Sequence, residues 1–350
     1  VLREEEAEDI RNKFMEQKRF KALVVRENEE QQFRRTLEER TIAELPPGDI
    51  LIRVCFSSLN YKDALSANGN HGVTKAYPHT PGIDAAGVVA ASATGQFSEG
   101  DEVICMGYDL GMNTPGGFAE YISVPGDWVL AKPAGLSLYE AMQIGTAGFT
   151  AAQCVERLIS LGVRPDQGPV LVTGATGGVG STAIALLSKL GFQVAAVTGK
   201  ESEHAFLKEL GAVKVLTRKQ ATGRAGAALL RERWAGVVDT VGGELLAGAV
   251  KATRYGGAVA CCGNAASGDL PLTVYPFILR GVCLIGIDSA SCPMVRREEI
   301  WQDLADGWRL SMLDGLTTRI SLEQLDQYIE AMLAGKTTGR IVVDLGGIAE

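Results

Sequence analysis

Residues 171–180 read LVTGATGGVG, an apolar run that breaks into small residues at Ala175, Gly177 and Gly180. A dinucleotide fingerprint uses that spacing, here with alanine in the first small position. Small side chains let the backbone turn tightly and approach a pyrophosphate, and the amides opening the next helix face its charge. Ala175, Thr176, Gly177, Gly178, Val179 and Gly180 are therefore the expected phosphate cradle. Glycine spacing alone is a weak sign, and the other reading is an ordinary strand-to-helix turn. The flanking stretches, read as strand and helix, supply the context the motif requires.

The end of the following strand chooses the cofactor. A site for NAD usually offers Asp or Glu to the ribose hydroxyls about 20 residues past the fingerprint. This chain has Thr198, Gly199 and Lys200 there. A hydroxyl, an amide and an ammonium suit a 2′-phosphate, which a carboxylate would repel. Glu201 comes one residue late and is expected to open the next helix. The expected cofactor is NADPH.

Elements must hold these groups in place. The stretches VLVT, QVAAV, KVL, GVVD, AVACC and VCLIGI read as short buried strands. Between the first two, Ala183, Leu186, Leu187 and Leu190 recur at helical spacing, and Gly191 follows as a stop. Buried strands alternating with amphipathic helices imply a doubly wound parallel sheet, an α/β domain over 140–309. Upstream, FKALVV and DILIRVCFSSLN read as strands, and closely spaced glycine and proline suit a strand-rich, loop-rich domain over 20–139. SLYEAMQIGTAGFTAAQCVERL reads as helix, and GRIVVDL as a strand able to rejoin the first domain, to which 310–350 is assigned.

At 350 residues the chain can bury a large core. A net charge of −8 argues against a general nucleic-acid binder. No apolar run is long enough to span a bilayer, so no membrane partner is expected. The seven cysteines show neither CxxC pairs nor Cys/His clusters, so no metal site is expected and buried free thiols in a reducing, cytoplasmic setting are. The charged opening stretch, 1–19, reads as an exposed helix or an unstructured lead, with no signal-peptide apolar region.

Together with SSLNYKDALSANG, PHTPGIDAAGVV, GDEVICMGYDLG, GGFAEYISV and IGTAGFTA, these motifs resemble the zinc-independent medium-chain dehydrogenase/reductases. Within that superfamily the likeness is greatest to the acrylyl-CoA reductase (NADPH) and quinone oxidoreductase-like family. The resemblance covers about residues 20–345. It implies a Rossmann cofactor domain inserted in a β-rich, GroES-like catalytic domain, with the active site in the cleft between them. Zinc-dependent relatives carry a ligand cysteine after the second strand and a Gly-His-Glu motif; here those regions read NYKD and PGID. The metal's Lewis-acid role must then pass to hydrogen bonds.

Hydride delivered to the β-carbon of an activated alkene leaves an enolate that needs hydrogen-bond donors and a proton. Tyr61 is expected to supply a proton or bond the carbonyl, and Asn60 to orient substrate or nicotinamide. The alternative is that Asn60 caps the helix while Tyr61 packs below it. Asp84 is expected to be structural, Lys62 and Asp63 to form a solvated pair, and His71, His79 and His204 to lie at the surface. The family pattern puts Thr146 and Thr150 near the nicotinamide ribose and ring. It lines the crevice with Asp239, Thr240, Val241, Gly263 and Asn264. Arg218 is expected near the 2′-phosphate and Arg340 near the cofactor, unless either is a surface charge.

The substrate expected is a small molecule, a short enoyl-CoA or a quinone or enone. A non-catalytic NADPH-binding protein is the remaining reading. The apolar stretch VCLIGIDS, taken as an edge strand, points to a homodimer, because relatives join that strand to its copy.

Overall fold

In the computed structural model, which describes residues 17–224 and 226–346, β1 (Arg19–Glu27) pairs antiparallel with β2 (Phe33–Thr41). The FKALVV run does not alternate with polar residues because β1 is buried on both faces. Phe20, Ala22 and Val24 meet Ala119 and Tyr121, while Leu23 and Val25 join the larger core. The reading of the charged lead lies, for residues 1–16, outside the described residues.

The next elements are β3 (Ile50–Ser58), α1 (Tyr61–Ala67), β4 (Asp84–Ser92), β5 (Glu102–Met106), β6 (Tyr121–Val124) and β7 (Val129–Ala131). The helix α2 (Leu138–Ser160) follows, broken at Gly145 by a backbone of φ 50 and ψ −162. An alternating series comes next: β8 (Val170–Val172), α3 (Gly178–Lys189), β9 (Val194–Val197), α4 (His204–Glu209), β10 (Ala212–Leu216) and α5 (Arg218–Thr222). It continues through β11 (Trp234–Asp239), α6 (Gly243–Lys251), β12 (Thr253–Cys261), α7 (Tyr275–Arg280), β13 (Cys283–Gly286) and α8 (Met294–Ala305). The chain ends in α9 (Leu313–Leu316), β14 (Thr317–Ser321), α10 (Leu325–Leu333) and β15 (Arg340–Asp344).

These elements form two compact units. One combines the described residues up to Thr146 with those from Thr317, and the other is Ala147–Leu316. In the first, β14-β15-β3-β4-β5-β7 run side by side with β6 on β3, so the last strand inserts between β14 and β3. All neighbours there are antiparallel except β14 and β15.

The second unit holds a six-stranded parallel sheet in the order β10-β9-β8-β11-β12-β13. Strand order reverses between β8 and β11, the switch point where a doubly wound sheet opens a crevice at its carboxyl ends. Val170, Leu171 and Val172 of β8 are wholly buried, as a central strand covered on both faces requires. Gly191 takes φ +83 just after α3, the left-handed stop expected there. All seven cysteines are free, but Cys261, Cys262 and Cys283 are half-buried rather than buried.

Candidate active site

Two clusters form, one in each unit. In the parallel-sheet unit the turn after β8 is closed by backbone contacts that only glycine permits. A Cβ on Gly180 would stand 2.3 Å from the Gly174 carbonyl oxygen, and one on Gly174, at φ +57, would stand 2.1 Å from Thr240 Oγ1. Ala175 N–H donates to Val197 O at 3.2 Å, tying the turn to β9. Gly177 is the N-cap of α3, so the free amides of Gly178, Val179 and Gly180 open a 12-residue helix at this turn. That arrangement gathers three backbone N–H groups at one turn, the geometry that suits an anion.

Across the switch point, Asp239 ends β11 wholly buried. Its carboxylate accepts from Thr173 Oγ1 at 2.7 Å and from Gly242 N–H at 2.8 Å. Burial pushes Asp239 up while those hydrogen bonds pull it down. Thr240 closes the link, its N–H donating to Thr173 Oγ1 and its hydroxyl to Thr173 O. Gly263 lies so near that a Cβ would meet Thr240 O at 2.5 Å. Asp239, Thr240 and Gly263 thus brace the crevice wall, with Val241 half-buried and Asn264 exposed beside them.

At the end of β9, Thr198 is buried and its hydroxyl accepts Lys200 N–H at 3.0 Å. Arg218 lies over this turn: a Cβ built on Gly199 would stand 3.6 Å from its Nε. Partial burial lowers Lys200, opposed by Glu203. The Thr198 hydroxyl and the Arg218 guanidinium therefore stand at the turn where the sequence suggests a 2′-phosphate, with Lys200 next in the chain. Glu201 opens a short 3-10 helix, as expected, and His204 is half-buried.

The second cluster centres on Asp84, wholly buried at the start of β4. It accepts from Asn60 Nδ2 at 2.7 Å, Thr146 Oγ1 at 2.6 Å and Thr146 N–H at 2.9 Å, and from Ser58 Oγ. Arg340 of β15 stands 3.9 Å from it and donates to Ser58 Oγ, Asn60 Oδ1 and Gln143 O. Gly145 makes room: a Cβ there would stand 2.5 Å from Arg340 Nη2 and 2.6 Å from Asp84 Oδ2.

Several expectations change here. Arg340 is 2% exposed and is no surface charge. Asp63 does not form a solvated pair with Lys62: it is wholly buried, and its carboxyl accepts Asn60 N–H at 2.8 Å, Gly82 N–H at 3.1 Å and Ile83 N–H at 2.8 Å. Burial, with the charge of Asp84, raises Asp63 to about 7. His79 is buried against Gly111 O at 2.9 Å, whereas His71 stays open beside Glu27. Asn60 does stand at the N-cap of α1, but its amide is used by Ser58, Asp84 and Arg340. Tyr61 does not pack below the helix: it is 46% exposed.

Ser58 and Gly145 were given no role from the sequence, and Asp63 was given the wrong one. A glycine inside a helical stretch was their single visible sign. Thr150 is buried in α2. Among the described residues, no group of three or more His, Cys, Asp or Glu side chains could hold a metal ion.

Family models for an alcohol dehydrogenase GroES-like domain and a zinc-binding dehydrogenase match residues 46–134 and 178–306. The chain is 40% identical over 327 residues to the acrylyl-CoA reductase AcuI of Ruegeria pomeroyi, covering 93% of this chain and 99% of that one. The chain belongs to the medium-chain dehydrogenase/reductase family. Within it, the similar proteins include acrylyl-CoA reductases and quinone oxidoreductase-like proteins. The crystal structure of Escherichia coli K-12 YhdH with bound NADPH superposes with a TM-score of 0.90 at 44% identity, covering 93% of this chain and 100% of that one. Bacillus subtilis yhfP with NAD bound gives 0.91 at 42% identity, covering 94% and 100%.

Proposed function

We propose that this chain uses NADPH to reduce the alkene of a short α,β-unsaturated acyl-CoA, converting acrylyl-CoA to propionyl-CoA. The observation that carries the cofactor choice is the meeting of Thr198, Lys200 and Arg218 at the end of β9, with no carboxylate in the usual ribose-binding place. The turn from Gly174 to Gly180 supports a pyrophosphate site, because its tight packing sets the N–H groups of Gly178, Val179 and Gly180 at the start of α3. The acyl-CoA assignment draws support from the acrylyl-CoA reductase at 40% identity.

Bound NADPH supplies the hydride that the alkene accepts. The residues of the chain do the rest. Gly178, Val179 and Gly180 hold the pyrophosphate by their amides, and Lys200 and Arg218 neutralise the 2′-phosphate. Thr146 and Arg340 act from within, by fixing Asp84, Ser58 and Asn60. Tyr61, an exposed residue at the start of α1, supplies a hydrogen bond or proton to the reduced substrate. Asn60 serves by holding the start of α1, because its amide is already engaged.

The assay is NADPH oxidation with acrylyl-CoA, crotonyl-CoA and simple quinones side by side. The highest kcat/KM on acrylyl-CoA, unaltered by a chelator, supports the proposal. Faster turnover of quinones favours the second reading, quinone or enone reduction, which the quinone oxidoreductase-like relatives support. A cytoplasmic homodimer, joined through β13, completes the proposed picture. No helix among the described residues is long and apolar enough to cross a membrane.

A further inference from the structure

The chain segment carrying Tyr61 is tied down by the Asn60 amide and by a second side chain, that of Asp63. Asp63 lies wholly buried three residues after Asn60, and its two oxygens take N–H groups from two separate parts of the chain. Oδ2 accepts from Asn60, at the start of α1, and Oδ1 from Gly82 and Ile83, just before β4. The second anchor is rigid for a reason of its own. Gly82 has φ +116, a Cβ there would stand 2.5 Å from Phe118 N, and its carbonyl accepts Gly117 N–H at 2.7 Å. Tyr61 is half open to solvent, so the backbone beneath it has a large share in where its side chain sits.

We propose that Asp63 is a positioning residue that holds the Asn60–Tyr61 step against the Gly82–Asp84 segment and so aims the Tyr61 phenol. The inference rests on the proposed role of Tyr61. The charged groups facing Asp63 are Asp84 from β4 and Arg340 from β15, while the Lys62 ammonium is turned to Met112 Sδ at 3.8 Å. Asp84 opposes ionisation of Asp63, and the Asn60 and Ile83 amides favour it.

Asp63→Asn keeps the shape and turns one acceptor into a donor that faces an N–H group. The measurements are kcat for acrylyl-CoA reduction and KM for NADPH, in the wild type, Asp63→Asn, Tyr61→Phe and the double variant. The expected result is a loss in kcat of about tenfold for Asp63→Asn with KM for NADPH unchanged, and a further loss below about twofold once the Tyr61 hydroxyl is gone. An equal loss in both backgrounds overturns the proposal, as does unchanged kcat in Tyr61→Phe. Hydrogen exchange of the wild type gives a check that needs no variant to fold. The Asn60, Gly82 and Ile83 amides should be strongly protected, and exchange at the rate of open amides overturns the staple. A wild type that fails to reduce acrylyl-CoA with NADPH counts against the proposed function, while the exchange result still decides the staple.

Discussion

Lys200 and Arg218 carry the cofactor choice at the scale of single residues. Replacing Lys200 by Glu puts a carboxylate beside the expected 2′-phosphate. The wild type should prefer NADPH to NADH by at least roughly tenfold, about 1.4 kcal/mol, and Lys200→Glu should weaken NADPH far more than NADH. Fluorescence titration with both cofactors checks this; equal affinities in the wild type would reject it.

Asp63 gives a pH prediction. Its folded value stands raised, from 3.8 to about 7, so the folded state holds a proton that the unfolded chain has released. The stability it contributes is complete below about pH 4 and disappears as pH rises to about 7, a loss of up to about 4 kcal/mol. Urea unfolding at pH 5 and pH 8 should show the wild type losing stability relative to Asp63→Asn. A constant difference contradicts this.

The tight strand-to-helix turn at Gly174–Gly180 was legible from sequence because smallness and spacing are themselves its requirement. The buried states of Asp63, His79 and Arg340 were not. Arg340 meets Asn60 across a separation of 280 residues, His79 meets Gly111 32 residues on, and Asp63 reaches Gly82 and Ile83 as well as its neighbour Asn60, and no local pattern reports those distant contacts.

Among the elements, α2 was legible as a helix from its apolar spacing, but its break at Gly145 was not. The reason for the break lies in side chains of β3, β4 and β15 that crowd that point. Gly145→Ala should cost about 2–4 kcal/mol, because it adds a strained φ to a collision with Arg340 and Asp84. Thermal unfolding measures the cost, and a neutral substitution would show that the cluster yields easily.

The edge position of β13 in its sheet agrees with the reading of VCLIGIDS, and the proposed dimer uses that edge. The orientation of its amides refines the test. Ile287 N–H donates to Cys261 O of β12, so alternation turns the Ile285 amide inward as well and those of Leu284 and Gly286 to the open edge. Proline at Leu284 should therefore weaken the dimer without removing a bond from the sheet. Sedimentation at micromolar concentration should show more monomer. An unchanged mass distribution, or a wild type that is already monomeric, rejects β13 as the joining strand.

For the whole molecule, the division into a mostly antiparallel and a parallel unit follows from chemistry visible in the chain. Apolar strands spaced by amphipathic helices can only be covered on both faces, whereas glycine-punctuated strands fold back on themselves. Neither unit's interior names a substrate. That choice lies in the groups a substrate would touch, and composition does not mark them. The proposed reaction is direct reduction of the acrylyl-CoA alkene with hydride from NADPH. Its most direct measurement uses NADPH carrying deuterium at the transferable position and reads the propionyl-CoA by mass spectrometry and NMR. One deuterium, on the β-carbon, is expected in each product molecule. Absence of propionyl-CoA, or product with solvent hydrogen at that carbon, would contradict it.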